Sequence, residues 1–252
     1  MPTQLVRGQI TKILVLNPNS SQSMTDGMKA VIDTIDLSYS TEVHTYTAPP
    51  SAPASINDGT DIEQSFNAVR MNFDDEGYDG IVVACFSMHP LVPYLQGYPT
   101  PVTGIFEASV LTALSLLRGD EKWGVVTTGK FWEEHLAAGV KAFLGAAQWD
   151  GNSKFAGVES TGLNAGDFHH GVDPAVVKAK IKDATKRLLG KGPVGCIVMG
   201  CAGMAGLEEI IREAANEKLG KEFAHSLHVV DGVRAGIMQV ENMIKHQRLL
   251  PV

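Results

Sequence analysis

Cys201 stands in "VMGCAGMAG" (198–206), just after an apolar run and between Gly200 and Gly203. A cysteine kept only for packing would sit inside the run. Glycines here let main chain come close to a small ligand and leave amides open to an anionic oxygen. Cys85 closes a second apolar run in the same way, in "IVVACFSMHPL" (81–91). A thiol at the end of a strand and the start of a helix faces backbone N–H groups, and the helix dipole favours its thiolate. Two such thiols facing each other across a cleft suit proton transfer at carbon. One thiolate removes a proton from one face of the substrate, and the other thiol delivers a proton to the opposite face. This is a two-base racemisation or epimerisation, and it calls for no metal and no organic cofactor when the substrate's carbonyls hold the charge as an enolate. The enolate oxygen needs donors fixed in advance, and the amides around Phe86, Ser87, Ala202 and Gly203 are placed to supply them.

Other residues are candidates for supporting parts. "NPNS" (17–20) ends an apolar run and precedes a helix capped by Ser20 or Ser21, which would turn Asn17 toward the cleft to bind a substrate carbonyl or carboxylate. Thr127 and Thr128, in "VVTTG", occupy the matching place further along the chain. His89 lies four residues after Cys85, where it either tunes that thiol or packs. Cys196 starts the run that leads to Cys201, the wrong end for a cleft, and reads as structural. "DFHHGVD" (167–173) invites a metal reading, but adjacent histidines diverge and no second cluster completes a tetrahedral site. It reads as a solvated loop before a helix cap at Asp173. The aromatic face of "FWEEHLAAGVKAF" (131–143) belongs to the core, with Phe131 a candidate to reach the substrate side.

These residues must be held by elements. Short Val- and Ile-rich runs alternate with helical periods, the pattern of parallel sheets covered by helices. Eight strands are expected: Lys12 to Leu16, Glu42 to Tyr46, Gly80 to Ala84, Pro101 to Ile105, Lys122 to Thr127, Phe155 to Glu159, Val194 to Met199 and His228 to Val230. The clearest helix runs from Pro174 to Leu189, with Asp173 as N-cap and Gly190 past its end. Setting Cys85 on Cys201 also lays Ile81 on Ile197, Val82 on Val198, Met88 on Met204 and Leu91 on Leu207, which favours two similar α/β halves. The expected division is 1–110 and 111–232, with a C-terminal helix, 233–252, packing back on the first half. In open parallel sheets ligands bind beyond the carboxyl ends of the strands, and both cysteines fall at that end.

The chain has 252 residues, 44% of them hydrophobic and 19% charged, with a formal net charge of -7. That is ample for a core. The acidic balance, with no run of lysines or arginines, gives no electrostatic footprint for nucleic acid or an anionic membrane. The run Ile13 to Leu16 is too brief for a signal core or a membrane span, so the expectation is a cytoplasmic protein whose three cysteines are free thiols. Whether copies associate into a homo-oligomer is left open.

Six blocks in order, "ILVLNPNSSQSMT" (13–25), "APPSAPASI" (48–56), "DGIVVACF" (79–86), "PVTGIFEAS" (101–109), "VVTTG" (125–129) and "VMGCAGMAGL" (198–207), resemble the Asp/Glu/hydantoin racemase superfamily. Within it they resemble the hydantoin and allantoin racemase branch. The resemblance implies two pseudo-symmetric α/β halves with the site between them, no cofactor, and Cys85 and Cys201 as the acid/base pair. It implies a small-molecule substrate, a five-membered cyclic ureide such as a 5-substituted hydantoin or allantoin. After Cys85 this chain departs from the acidic residue and D-P-G-like turn of bacterial hydantoin racemases: "FSMHPLV" (86–92) is closer to the fungal members. Amino-acid racemase, maleate isomerase and arylmalonate decarboxylase chemistry are the alternatives within the superfamily, and a non-catalytic metabolite binder is the alternative outside it. The decarboxylase needs one cysteine only, and no arginine adjoins either cysteine motif to hold a free amino acid's carboxylates.

Overall fold

The computed structural model describes residues 10–73, 77–145, 154–168 and 171–250. Eight parallel strands form two four-stranded sheets. The first half of the chain runs β1 (Thr11–Asn17), α1 (Gln22–Ile32), β2 (Thr41–Thr47), α2 (Gly59–Arg70), β3 (Gly80–Val83), α3 (Leu91–Leu95), β4 (Val102–Gly104) and α4 (Ile105–Leu116). The second runs β5 (Lys122–Thr127), α5 (Phe131–Phe143), β6 (Phe155–Ser160), α6 (Pro174–Leu188), β7 (Val194–Met199), α7 (Glu208–Leu219), α8 (Lys221–Ser226), β8 (His228–Asp231) and α9 (Gly232–Gln247). The sheet orders are β2-β1-β3-β4 and β6-β5-β7-β8.

The two halves share register as well as order. Leu16 pairs with Val83 in the first sheet and Val126 with Met199 in the second. The shift of 116 residues that carries Val83 to Met199 also carries Cys85 to Cys201. The weak sequence match between the halves is therefore the trace of one strand arrangement used twice. Each order reverses between its first and third strands, and a loop leaving a strand end at such a switch point opens onto a crevice.

Strand burial follows from the two-sided cover. β3 and β7 are buried at every residue, as parallel strands with helices on both faces require. The helices cross over between halves. α9 packs on β3, β1 and β4, while α4, from the first half, packs on β7, β8 and α9. Residues 110 and 111 lie inside α4, so a division there cuts a helix that binds the halves together. Phe106, Trp123 and Trp132 share one core with Val82 and Val198.

Several boundaries move by a residue from expectation, two of them for a clear local reason. β4 is only Val102–Gly104, because Gly104 becomes the N-cap of α4 and Ile105 its first residue. α6 ends at Leu188 and tightens into a 3-10 turn, Leu189–Lys191, so Gly190 lies within the turn and Gly192 takes the positive φ. At its other end Asp173 caps the helix as expected, accepting from the Ala175 amide at 2.8 Å. Of the two candidate caps of α1, Ser21 takes the role. Among the described residues no helix is long and apolar enough to cross a membrane.

Candidate active site

The segments leaving β3 and β7 carry the two thiols. Gly200 comes first in the second of these. A Cβ there would stand 2.5 Å from Val125 Cγ1 and 2.9 Å from Thr127 Cβ, so only glycine lets the chain turn this close to β5. The Thr127 hydroxyl donates to the Gly200 carbonyl at 2.7 Å and pins the turn. Cys201 then opens a 3-10 turn, Ala202–Met204, and its Sγ accepts the Gly203 amide at 3.3 Å. In the first half Cys85 Sγ lies 3.4 Å from the hydroxyl of the buried Ser87.

The helix-terminus setting expected for both thiols is not what the fold builds. Residues 86–90 separate Cys85 from α3 and residues 202–207 separate Cys201 from α7. Neither sulfur caps an α-helix, so no macrodipole offsets burial. Loss of water pushes the Cys85 thiol up to about 12 and the Cys201 thiol up to about 11. Negative charge on either Cys201 or Glu107 raises Cys85 further, which places all three groups in one neighbourhood.

Both thiols line one cavity of about 30 Å3. Its walls come from both halves: Asn19, Met24, Ile56 and Phe86 from the first, Thr128, Trp132, Ala165, Gly200, Ala202 and Gly203 from the second. The space holds a water or two and no ring. The Ala165 amide, beside the cavity, donates to Asn57 Oδ1 at 3.4 Å, joining a loop of each half.

Asn17 and Thr127, expected to meet the substrate, stand behind the wall. Asn17 Nδ2 donates to Asn19 Oδ1, the Ser21 carbonyl and Thr25 Oγ1, while its Oδ1 accepts the Asn19 amide. Each half thus uses the last strand residue as a brace and a polar residue just beyond it, Asn19 or Thr128, as wall. Asn19 is itself largely committed, accepting the Ser21 amide and donating to Met24 Sδ. Of the four residues expected to offer amides, two fit. The Ser87 amide is spent on the Cys85 carbonyl and the Gly203 amide on Cys201 Sγ. Those of Phe86 and Ala202, each directly after a cysteine, make no hydrogen bond to another described residue.

His89 does not touch a thiol. It is fully buried, its Nδ1 accepts the Leu91 amide, and its Nε2 lies 3.2 Å from Ser65 Oγ, which donates to the Pro18 carbonyl. Burial lowers it to about 3, so it is a neutral strut between the Cys85 and Asn19 loops. Phe131 faces outward, stacked on His135, and its neighbour Trp132 reaches the cavity instead. Cys196 lies within β7, wholly buried and away from the cavity. His169 and His170 lie outside the described residues.

Met24, Ile56, Trp132 and Ala165 have apolar side chains that could equally belong to a core, and only assembly of the halves turns them inward. Glu107 carried a readable signal, an acid in the first turn of a helix that begins at a strand's carboxyl end.

A family model described as Asp/Glu/Hydantoin racemase matches residues 13–240. The Schizosaccharomyces pombe protein C1F7.10 is 33% identical over 93% of this chain and 92% of its own. A hydantoin racemase of a Pseudomonas species is 27% identical over 92% of this chain and 86% of its own. Among solved structures, an allantoin racemase from Pseudomonas fluorescens superposes with a TM-score of 0.75 at 24% identity, covering 94% of this chain and 92% of the other. Fold, site and relatives define an enzyme of the isomerase class. The chain belongs to the Asp/Glu/hydantoin racemase family.

Proposed function

We propose that the protein racemises a five-membered cyclic ureide, a 5-substituted hydantoin or allantoin, by two-base chemistry at Cys85 and Cys201. The observation that carries this reading is the placement of one thiol from each half on a single cavity. In the proposed reaction one sulfur, as thiolate, takes the stereocentre proton, the C–H electron pair passes into the adjacent ring carbonyl as an enolate, and the other thiol protonates the opposite face. The Phe86 and Ala202 amides and the Thr128 hydroxyl are the donors within reach of an enolate oxygen on the cavity wall. A ring flanked by carbonyls stabilises its carbanion better than an amino acid does, which suits bases that no helix terminus activates.

The absence of any Lys or Arg among the described lining residues weighs against substrates held by carboxylates, aspartate, glutamate and maleate among them. A binder of metabolites has no use for paired thiols. The names of the hydantoin and allantoin racemases among the chain's relatives support the substrate class. The test is chiral analysis of single enantiomers after incubation with wild type, Cys85→Ala and Cys201→Ala. Wild type is expected to invert the substrate and each variant to lose at least about a thousandfold in rate, the scale on which removal of a catalytic acid or base acts. Substantial inversion by either variant would sink the two-base mechanism.

A further inference from the structure

We infer that Glu107 sets the resting order of the two thiols, keeping Cys85 as the acid and leaving Cys201 as the base. The inference rests on the two-base reading above and assigns its starting roles.

Glu107 is in the first turn of α4, and its carboxylate reaches back to the Gly104 amide as the third residue of a capping box does. One oxygen is left over. Glu107 Oε2 is buried with no hydrogen-bond partner among the described residues, and it fills the space that a side chain on Gly104 would take. Gly104 pairs with Val83 across β3 and β4, so this carboxyl sits at the strand edge from which Cys85 emerges two residues later.

The surroundings of the two sulfurs therefore differ in two respects. Cys85 is raised by the charge of Glu107, which does not act on Cys201, while the repulsion between the two sulfurs is mutual and favours neither. Cys201 accepts a main-chain N–H that cannot turn away, while Cys85 faces a serine hydroxyl that can rotate. Glu107 is faced by backbone amides alone, so nothing neutralises it except a proton. Both differences favour negative charge on Cys201 over Cys85. The values of about 12 for Cys85 and about 11 for Cys201 run in the same direction.

When the pair loses one proton, the thiolate is then on Cys201. The C–H bond breaks, its proton joins Cys201 Sγ, and the electron pair enters the enolate. Cys85 Sγ–H gives its proton to the other face, which leaves Cys85 as thiolate and Cys201 as thiol. The resting form returns when Cys201 loses a proton to water and Cys85 takes one from it. The enantiomer whose C–H faces Cys201 meets a ready base, and the other meets the minor form.

Alkylation by iodoacetamide reads the order without any substrate, since the thiolate displaces iodide and each cysteine is followed separately by peptide mass mapping. In wild type the apparent midpoint of the rate-against-pH curve is expected about one pH unit lower at Cys201 than at Cys85. Equal or reversed midpoints would overturn the inference. Glu107→Gln keeps the capping geometry, since glutamine serves in the same box. It should speed Cys85 alkylation at pH 9 about three- to tenfold and leave Cys201 within twofold, whereas Glu107→Asp should leave Cys85 slow. An unchanged Cys85 rate in Glu107→Gln, or equal acceleration at both sites, would also overturn it. Since no ureide is present, inactivity on hydantoins would fault the substrate reading and leave the order of the thiols standing or falling separately.

Discussion

At neutral pH the resting site holds two thiols far more often than a thiol and a thiolate, because burial sets Cys85 near 12 and Cys201 near 11. Both values lie above the working range, so the competent singly deprotonated pair grows as pH rises. A second thiolate beside the first is opposed by like charge, which keeps one proton on the pair. The expected kcat/KM therefore climbs about tenfold per unit from pH 7 to 9, and a plateau reached by pH 8 would contradict the assignment. His89 adds no limb near 6.5, since burial holds it neutral down to about 3, whereas Glu107, raised to about 7 by burial, gains its charge as pH passes through that value. Bracing residues act through the thiols. Thr127→Val removes the hydroxyl that pins Gly200 and should lower kcat about tenfold with little change in KM, a displacement effect. In the sequence Cys201 stands out through the glycines around it, whereas Cys85, in "ACF", is marked only by the apolar run it closes. It misplaces Asn17 and Thr127 because a polar residue at a strand end can face either way. Thr127 chooses a carbonyl 73 residues away, which no local pattern announces.

Strands and helices were legible wherever local physics decides them. β5 and β7 match their expected spans residue for residue, since a fully buried parallel strand is one unbroken apolar run. β4 was overestimated because Val102 to Ile105 has the same composition whether it ends a strand or begins a helix, and Gly104 as N-cap decides. The helices thought to start at the cysteines begin several residues later, after loops that Pro90 and the glycines of "GCAGMAG" impose. At this scale close packing makes the prediction. Gly200→Ala places a methyl 2.5 Å from Val125 and should cost about 1–3 kcal/mol, as overpacked cores do, and lower kcat with it by shifting Cys201. Gly236→Ala sets a methyl against Val82 at 2.5 Å where α9 crosses β3, with a similar cost but no direct path to Cys201. Thermal melts with kinetics on both variants separate the two. Equal melting temperatures to wild type would contradict the packing.

Two matching halves clamp a space too small for any ring, so substrate must enter by parting them or by moving the loops that Asn57 and Ala165 join. Asn57→Ala removes that latch and is expected to raise alkylation of both cysteines several-fold, unlike the one-sided effect at Glu107. No change at either would place the opening elsewhere. The paired architecture was visible in the sequence as a repeat around the cysteines, but the crossing of α4 and α9 was only half visible. The C-terminal helix had no other half to serve, whereas α4 looks like an ordinary member of its own half. Burial of neutral thiols also links stability to pH. All three cysteines sit above their ordinary value near 9, so the unfolded chain loses those protons first. Their stabilisation is full below pH 9 and is lost as pH rises toward 11, and the denaturant midpoint should fall over that window. The most direct test of the central claim is inversion of single enantiomers of a 5-substituted hydantoin and of allantoin in D2O, followed by chiral analysis and NMR. Wild type should yield the opposite enantiomer carrying deuterium at the stereocentre, while Cys85→Ala and Cys201→Ala should yield none. Inversion by either variant at a rate near wild type would contradict the two-base account.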